Sequence, residues 1–189
     1  MSKSRLGLPL IGIMATVAVA LPAQADTCAA STTCSTTVTF TVAAEGGLEI
    51  TVPDTANLGS GSSGGQISTQ LGSVTVADQR AALTATWVAS VIAASGGFTT
   101  GGGTAAETVP NTAVLYWSGG TTATTGTGTF VPGQANAAAA QSLNASRTAF
   151  SKTTGSGDNS ATWNPTIVIN VPDQAVAGVY TGTVNHSVA

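Results

Sequence analysis

Apolar and polar residues alternate with a period of two at several points along the chain. Val38, Phe40 and Val42 alternate with Thr37, Thr39 and Thr41, and Leu48, Ile50 and Val52 alternate with Glu49 and Thr51. The pattern returns at Ile167, Ile169 and Val171, and again at Tyr180, Gly182, Val184 and Val188, which share one parity. Successive strand residues point to opposite faces, so each run predicts a strand with one buried and one wet face. Valine and threonine, abundant in these runs, suit a pleated surface. Turn-forming clusters separate them: Pro53-Asp54, residues 59–65, Gly96-Gly97, residues 101–103, Gly119-Gly120, Pro132-Gly133, residues 155–159 and Pro172-Asp173. Many short strands with such punctuation predict an all-β protein, an antiparallel β-sandwich of immunoglobulin-like (Ig-like) kind.

Two stretches are ambiguous. Leu83, Trp87 and Val91 fit a helix at i, i+4 and i+8, but the Trp, Val, Ile and Thr around them favour a strand over residues 81–94. Residues 134–144 contain four consecutive alanines and are compatible with a helical turn. The stretches 59–65 and 119–129, rich in Gly, Ser and Thr, are expected to be loops.

The first 25 residues have the order of a secretory signal: Lys3 and Arg5, an apolar run over residues 6–21, then Pro22-Ala23-Gln24-Ala25. Cleavage is expected after Ala25. The run is short for a membrane span and is broken by Pro9 and Gly12, so no span is expected to remain in the exported chain. The predicted organisation is therefore a signal peptide (1–25), a disulfide loop (26–36) and one β-sandwich domain (37–189). Cys28 and Cys34 are the two cysteines, and a close, even pair in an exported chain predicts a disulfide. So small a loop removes little entropy from the unfolded chain, which suggests that it pins the N-terminal segment.

Charge narrows the functional classes. Beyond Ala25 the chain keeps three basic residues, Arg80, Arg147 and Lys152, against eight acids, a balance of −5. Nucleic acid is excluded as a partner, because phosphate binding needs clustered Lys and Arg. Charged residues are 7% of the chain, against roughly 25% in ordinary soluble domains, so hydroxyl and amide side chains must form much of the wetted surface.

Catalytic spellings fail on context. Residues 59–64 spell a dinucleotide fingerprint and residues 61–65 a nucleophile elbow, but both need a following helix, and Gln66-Ile67-Ser68-Thr69-Gln70 has no helical pattern. His186 is the only histidine, so any Ser-His-Asp triad would have to use it. One histidine beside a bonded cysteine pair is too few ligands for zinc, and no metal or other cofactor is expected. Asp158-Asn159, or Asp54 with Asn57, would suit calcium no better than any polar turn. Tyr116 and Trp117 are neighbours in a predicted strand and should face opposite sides, leaving one outward. An outward aromatic in a charge-poor protein suits sugar stacking or partner docking; the competing reading is a residue lying under a loop.

An ordered series of segments resembles the WxL-type surface proteins of Gram-positive bacteria, in their actinobacterial form. It comprises Val76-Ala77-Asp78-Gln79-Arg80, Thr86-Trp87-Val88-Ala89, Phe98-Thr99-Thr100-Gly101, Val109-Pro110-Asn111, Trp163-Asn164-Pro165 and residues 177–184, which include Tyr180. The resemblance implies a β-sandwich, non-covalent attachment to cell wall or peptidoglycan, and adhesion. The first Trp-x-Leu of that pattern reads Trp87-Val88-Ala89 here, and the second is replaced around Asn185-His186-Ser187-Val188. Three functions are thus expected, in order: a non-catalytic extracellular protein binding cell-wall glycan or surface proteins; a subunit of a surface layer or fibre assembled by strand pairing; and a secreted hydrolase built on His186.

Overall fold

The computed structural model describes residues 27–189; the predicted signal peptide and its cleavage site lie outside them. The chain forms two compact units, one ending at Thr41 and the other spanning Val42–Ala189. In the first, Cys28 and Cys34 form the expected disulfide, with Cα atoms 5.8 Å apart.

The second unit is all-β. Its strands are β1 (Leu48–Thr51), β2 (Gln66–Gln70), β3 (Val74–Asp78), β4 (Trp87–Ala93), β5 (Phe98–Thr99), β6 (Thr108–Val109) and β7 (Val114–Trp117). They continue with β8 (Thr121–Thr125), β9 (Phe130–Pro132), β10 (Gln141–Ser142), β11 (Arg147–Lys152), β12 (Asn159–Trp163), β13 (Thr166–Asn170) and β14 (Val184–Val188). Three four-stranded sheets run in the orders β1-β3-β12-β8, β10-β7-β13-β2 and β14-β4-β11-β9, with β5-β6 as a small fourth. Every pairing is antiparallel. The sheets pack together on one apolar core, the layering of a β-sandwich.

Alternation sets which side chains enter that core. Val74, Val76 and Asp78 of β3 point inward, as do Trp87, Ala89, Val91 and Ala93 of β4. Phe150 and Trp163 stack with ring centroids 4.9 Å apart, and the Trp163 indole N–H donates to the Tyr116 hydroxyl at 3.1 Å. Strand β11 breaks alternation at a bulge between Thr148 and Phe150, which turns both Ala149 and Phe150 inward. The carbonyls freed there are answered by Gly133 N–H, bonded to Ala149 O at 2.9 Å, and by the Gln134 amide, bonded to Thr148 O at 3.0 Å. A Cβ at position 133 would collide with the Thr148 carbonyl, so only glycine allows this close approach.

The structure corrects three expectations. Residues 37–42 are no strand, and Val38, Phe40 and Val42 are 79%, 86% and 76% exposed. Hydrogen bonding of the sandwich starts instead at Gly46, which donates to Gln79 O, just ahead of β1. Residues 121–125, expected as loop, form β8, because its β-branched threonines pair along β12 as an exposed edge strand. The strand expected over residues 81–94 begins only at Trp87, and Leu83 is 90% exposed in the bend before it. The alanine run, which its sequence left open, makes a short 3-10 turn, Ala137–Ala139, capped by the Asn136 side chain.

Candidate functional site

Three of the motif positions, Asp78, Arg80 and Trp87, meet Asn159 in one polar network, whereas Trp163 bonds Tyr116, and Tyr180 lies apart from both. Asp78, at the inner end of β3, is fully buried. Its carboxylate accepts from Arg80 Nε at 2.8 Å and Nη2 at 2.9 Å, from the Arg80 backbone N–H at 3.2 Å and from Asn159 Nδ2 at 3.3 Å. Asn159 in turn accepts from the Trp87 indole N–H at 2.9 Å, and Arg80 Nη2 also donates to Thr86 O at 2.8 Å. The hydrogen bonds from Arg80 hold the Asp78 carboxyl below its usual range, against the opposing effect of burial. The network ties β3, β4 and β12 together with its polar groups facing one another. It is fold machinery, and neither Trp87 nor Trp163 offers a face to a ligand.

The two candidate aromatics separate as alternation requires. Tyr116 points inward, is fully buried, and has its phenol pKa raised by burial. Trp117 points outward on β7, half-buried, in register with Thr166 and Gln70. Gly119 lies against its ring, and the indole N–H has no hydrogen-bond partner among the described residues. Trp117 is therefore the only one of the pair with any ligand-facing surface, and its ring is partly covered.

Sequence reasoning missed a groove. A groove of about 830 Å³ opens between residues 56–63 and residues 175–182. Leu58, Ile67, Phe98, Ile169, Val171 and Tyr180 give it an apolar lining, and Ser60, Ser62 and Ser63 lie along one rim. The rims are tied together: Ser63 Oγ donates to Ala175 O at 2.5 Å, Gly64 N–H to Pro172 O at 3.3 Å, and Val171 N–H to Gly65 O at 2.9 Å. Tyr180 is held by its hydroxyl, which lies 3.0 Å from Ala106 O and 2.9 Å from Val176 O. None of the described lining residues is charged. A concave apolar surface with hydroxyl and backbone groups at its edge suits a neutral ligand. The available signal was the Gly-Ser run at 59–65 and the Tyr180 segment, and nothing local joins stretches more than a hundred residues apart.

His186 sits on β14 with its ring centroid 5.9 Å from that of Tyr116, and its Nε2 lacks a partner among the described residues. Burial pushes its pKa down to about 4. A general base for acyl transfer must accept a proton near neutral pH and be oriented by a third group. His186 has neither that affinity nor a described carboxylate partner. Asp158 accepts from the Ala81 N–H at 2.9 Å, the role of a turn residue. No cluster of three metal-ligating side chains occurs among the described residues, and no helix there is long and apolar enough to cross a membrane.

No protein-family model, curated protein or solved structure matches the chain.

Proposed function

We propose that this is a non-catalytic extracellular surface protein that holds cell-wall glycan, or another neutral surface component, in the groove between residues 56–63 and 175–182. The observation carrying this reading is the groove itself: about 830 Å³, apolar within, hydroxyl-bearing at the rim, and uncharged. A sugar ring offers apolar C–H faces to Phe98 and Tyr180, and its hydroxyls match serine hydroxyls and backbone carbonyls. The resemblance to WxL-type proteins supports the same assignment, and on this reading the packed sheets form an immunoglobulin-like sandwich. The signal-like N-terminus and the disulfide agree with an exported chain in an oxidising setting.

Sedimentation of the exported protein with Gram-positive wall sacculi tests it. Val179 lines the groove and is 85% exposed, so Val179→Glu puts a charge on the rim without touching the core. Saturable retention that Val179→Glu weakens more than Trp117→Ala is expected. Retention that neither change affects, or none at any concentration, contradicts the assignment.

A further inference from the structure

One edge of the sandwich and one segment ahead of it have complementary patterns. The segment is Val38-Thr39-Phe40-Thr41-Val42, whose three apolar side chains are exposed. No backbone group of residues 35–44 makes a hydrogen bond to another described residue. Alternating Val, Phe and Thr with no charge is a sequence made for pairing, and solvent is a poor resting place for it.

The edge is β14, Val184-Asn185-His186-Ser187-Val188, which pairs only with β4. Its register shows which backbone groups are spent. Ala94 N–H donates to Thr183 O at 2.8 Å, and Val88 and Ala189 exchange bonds at 2.8 and 3.1 Å. Residues 183, 185, 187 and 189 therefore turn their N–H and C=O groups toward β4, and Val184, His186 and Val188 turn theirs outward. The side chains of those same three residues are half-buried and face the core, whereas Asn185 and Ser187 face water.

We propose that residues 38–42 of one copy add as a strand to the free edge of β14 in a second copy. The match is in phase. A strand added there lays Val38, Phe40 and Val42 beside Val184, His186 and Val188 on the inner face, and Thr39 and Thr41 beside Asn185 and Ser187 on the outer one. Phe40 falls opposite His186, beside the half-buried side chains of Val184 and Val188. Other open edges fit less well: β1 carries Glu49, β8 is entirely exposed threonine and alanine, β2 offers one aliphatic residue, Ile67, β9 ends in Pro132 after two residues, and β10 is only Gln141–Ser142. Neither segment nor edge carries the lysine or other charge that blunts an exposed strand. A second copy is the occupant because this chain itself supplies the matching segment, alternating, uncharged and with three exposed apolar side chains. Each copy has one donor and one acceptor, so the contact is head-to-tail and builds rings or open filaments. This inference is independent of what the groove holds.

Sedimentation velocity across a range of concentrations, run beside residue-resolved amide exchange, tests the proposal. The exported protein should form larger species as concentration rises, with the amides of Val184, His186 and Val188 slowing by about tenfold or more. Phe40→Asp alters an exposed residue, so folding is not at stake, and it should abolish both effects. A monomer at every concentration overturns the proposal, including one in which its own segment protects β14. Assembly that survives Phe40→Asp, or that leaves the three amides in fast exchange, overturns it as well.

Discussion

Replacing Arg80 by methionine strands a buried carboxylate. Asp78 is fully buried and takes its two shortest bonds, 2.8 and 2.9 Å, from the guanidinium; the remaining donors lie at 3.2 and 3.3 Å. Losing one partner of a buried ion pair costs about 3–5 kcal/mol. The Arg80 side chain is 38% exposed, so water can reach the vacated end, and we expect a loss of about 3 kcal/mol at pH 7, the lower end of that range. The loss should depend on pH in a defined direction. The Asp78 pKa in the folded wild type lies below its ordinary 3.8. Its contribution is therefore complete above about pH 4 and disappears as the pH falls through the folded value. The Arg80→Met change removes that contribution, so the gap between wild type and variant should narrow on acidification below pH 4. Urea unfolding of both proteins at pH 7, 5 and 3 measures it. Adding Asp78→Asn to the variant should recover part of the loss, because the stranded charge is gone. A loss below about 1 kcal/mol at pH 7, or a gap that is constant from pH 7 to 3, would refute the argument.

Further outcomes follow from other parts of the core. Phe150→Ala should destabilise by about 3–5 kcal/mol in the same assay, because the ring is fully buried and stacked on Trp163. His186 has a folded pKa of about 4 against 6.5 unfolded, so the unfolded chain binds more protons between those values. Stability should thus be full above pH 6.5 and drop as the pH falls toward 4, by up to about 2 kcal/mol after allowance for partial exposure. His186→Leu should flatten that part of the pH profile while leaving the acid limb of Asp78 in place. Cys28→Ser should change the unfolding midpoint of the β body by less than about 0.5 kcal/mol equivalent, since the bridge closes a loop of sequence separation 6 within the other unit.

How far the sequence disclosed this molecule depends on whether the information was local. Strands β1, β13 and β14 were legible because alternation is a property of neighbours in sequence, although β14 begins only at Val184 and leaves Tyr180 and Gly182 of its alternating run outside. The same rule put Tyr116 and Trp117 on opposite faces, but it carries no sign, and only the packing of Trp163 against the tyrosine hydroxyl settles which one is inside. Residues 38–42 alternate as well as any strand, yet alternation specifies faces and not a pairing partner. Strand β8 was concealed for the opposite reason: an edge strand exposed on both faces has no apolar period, and threonine between glycines reads as loop. Asp78, Arg80 and Trp87 were visible as spaced motif positions, but their role as a brace needed Asn159, 81 residues from Asp78, to close it. The groove was least legible, since its two rims meet through bonds between residues more than a hundred positions apart.

The groove assignment is tested most directly by titrating isotope-labelled exported protein with soluble, uncharged wall-glycan fragments while following backbone amides. Saturable shifts confined to residues 56–63, Phe98 and residues 175–182 are the predicted result. No shifts at millimolar fragment, or shifts centred on Trp117 or β8 with the groove silent, would contradict it.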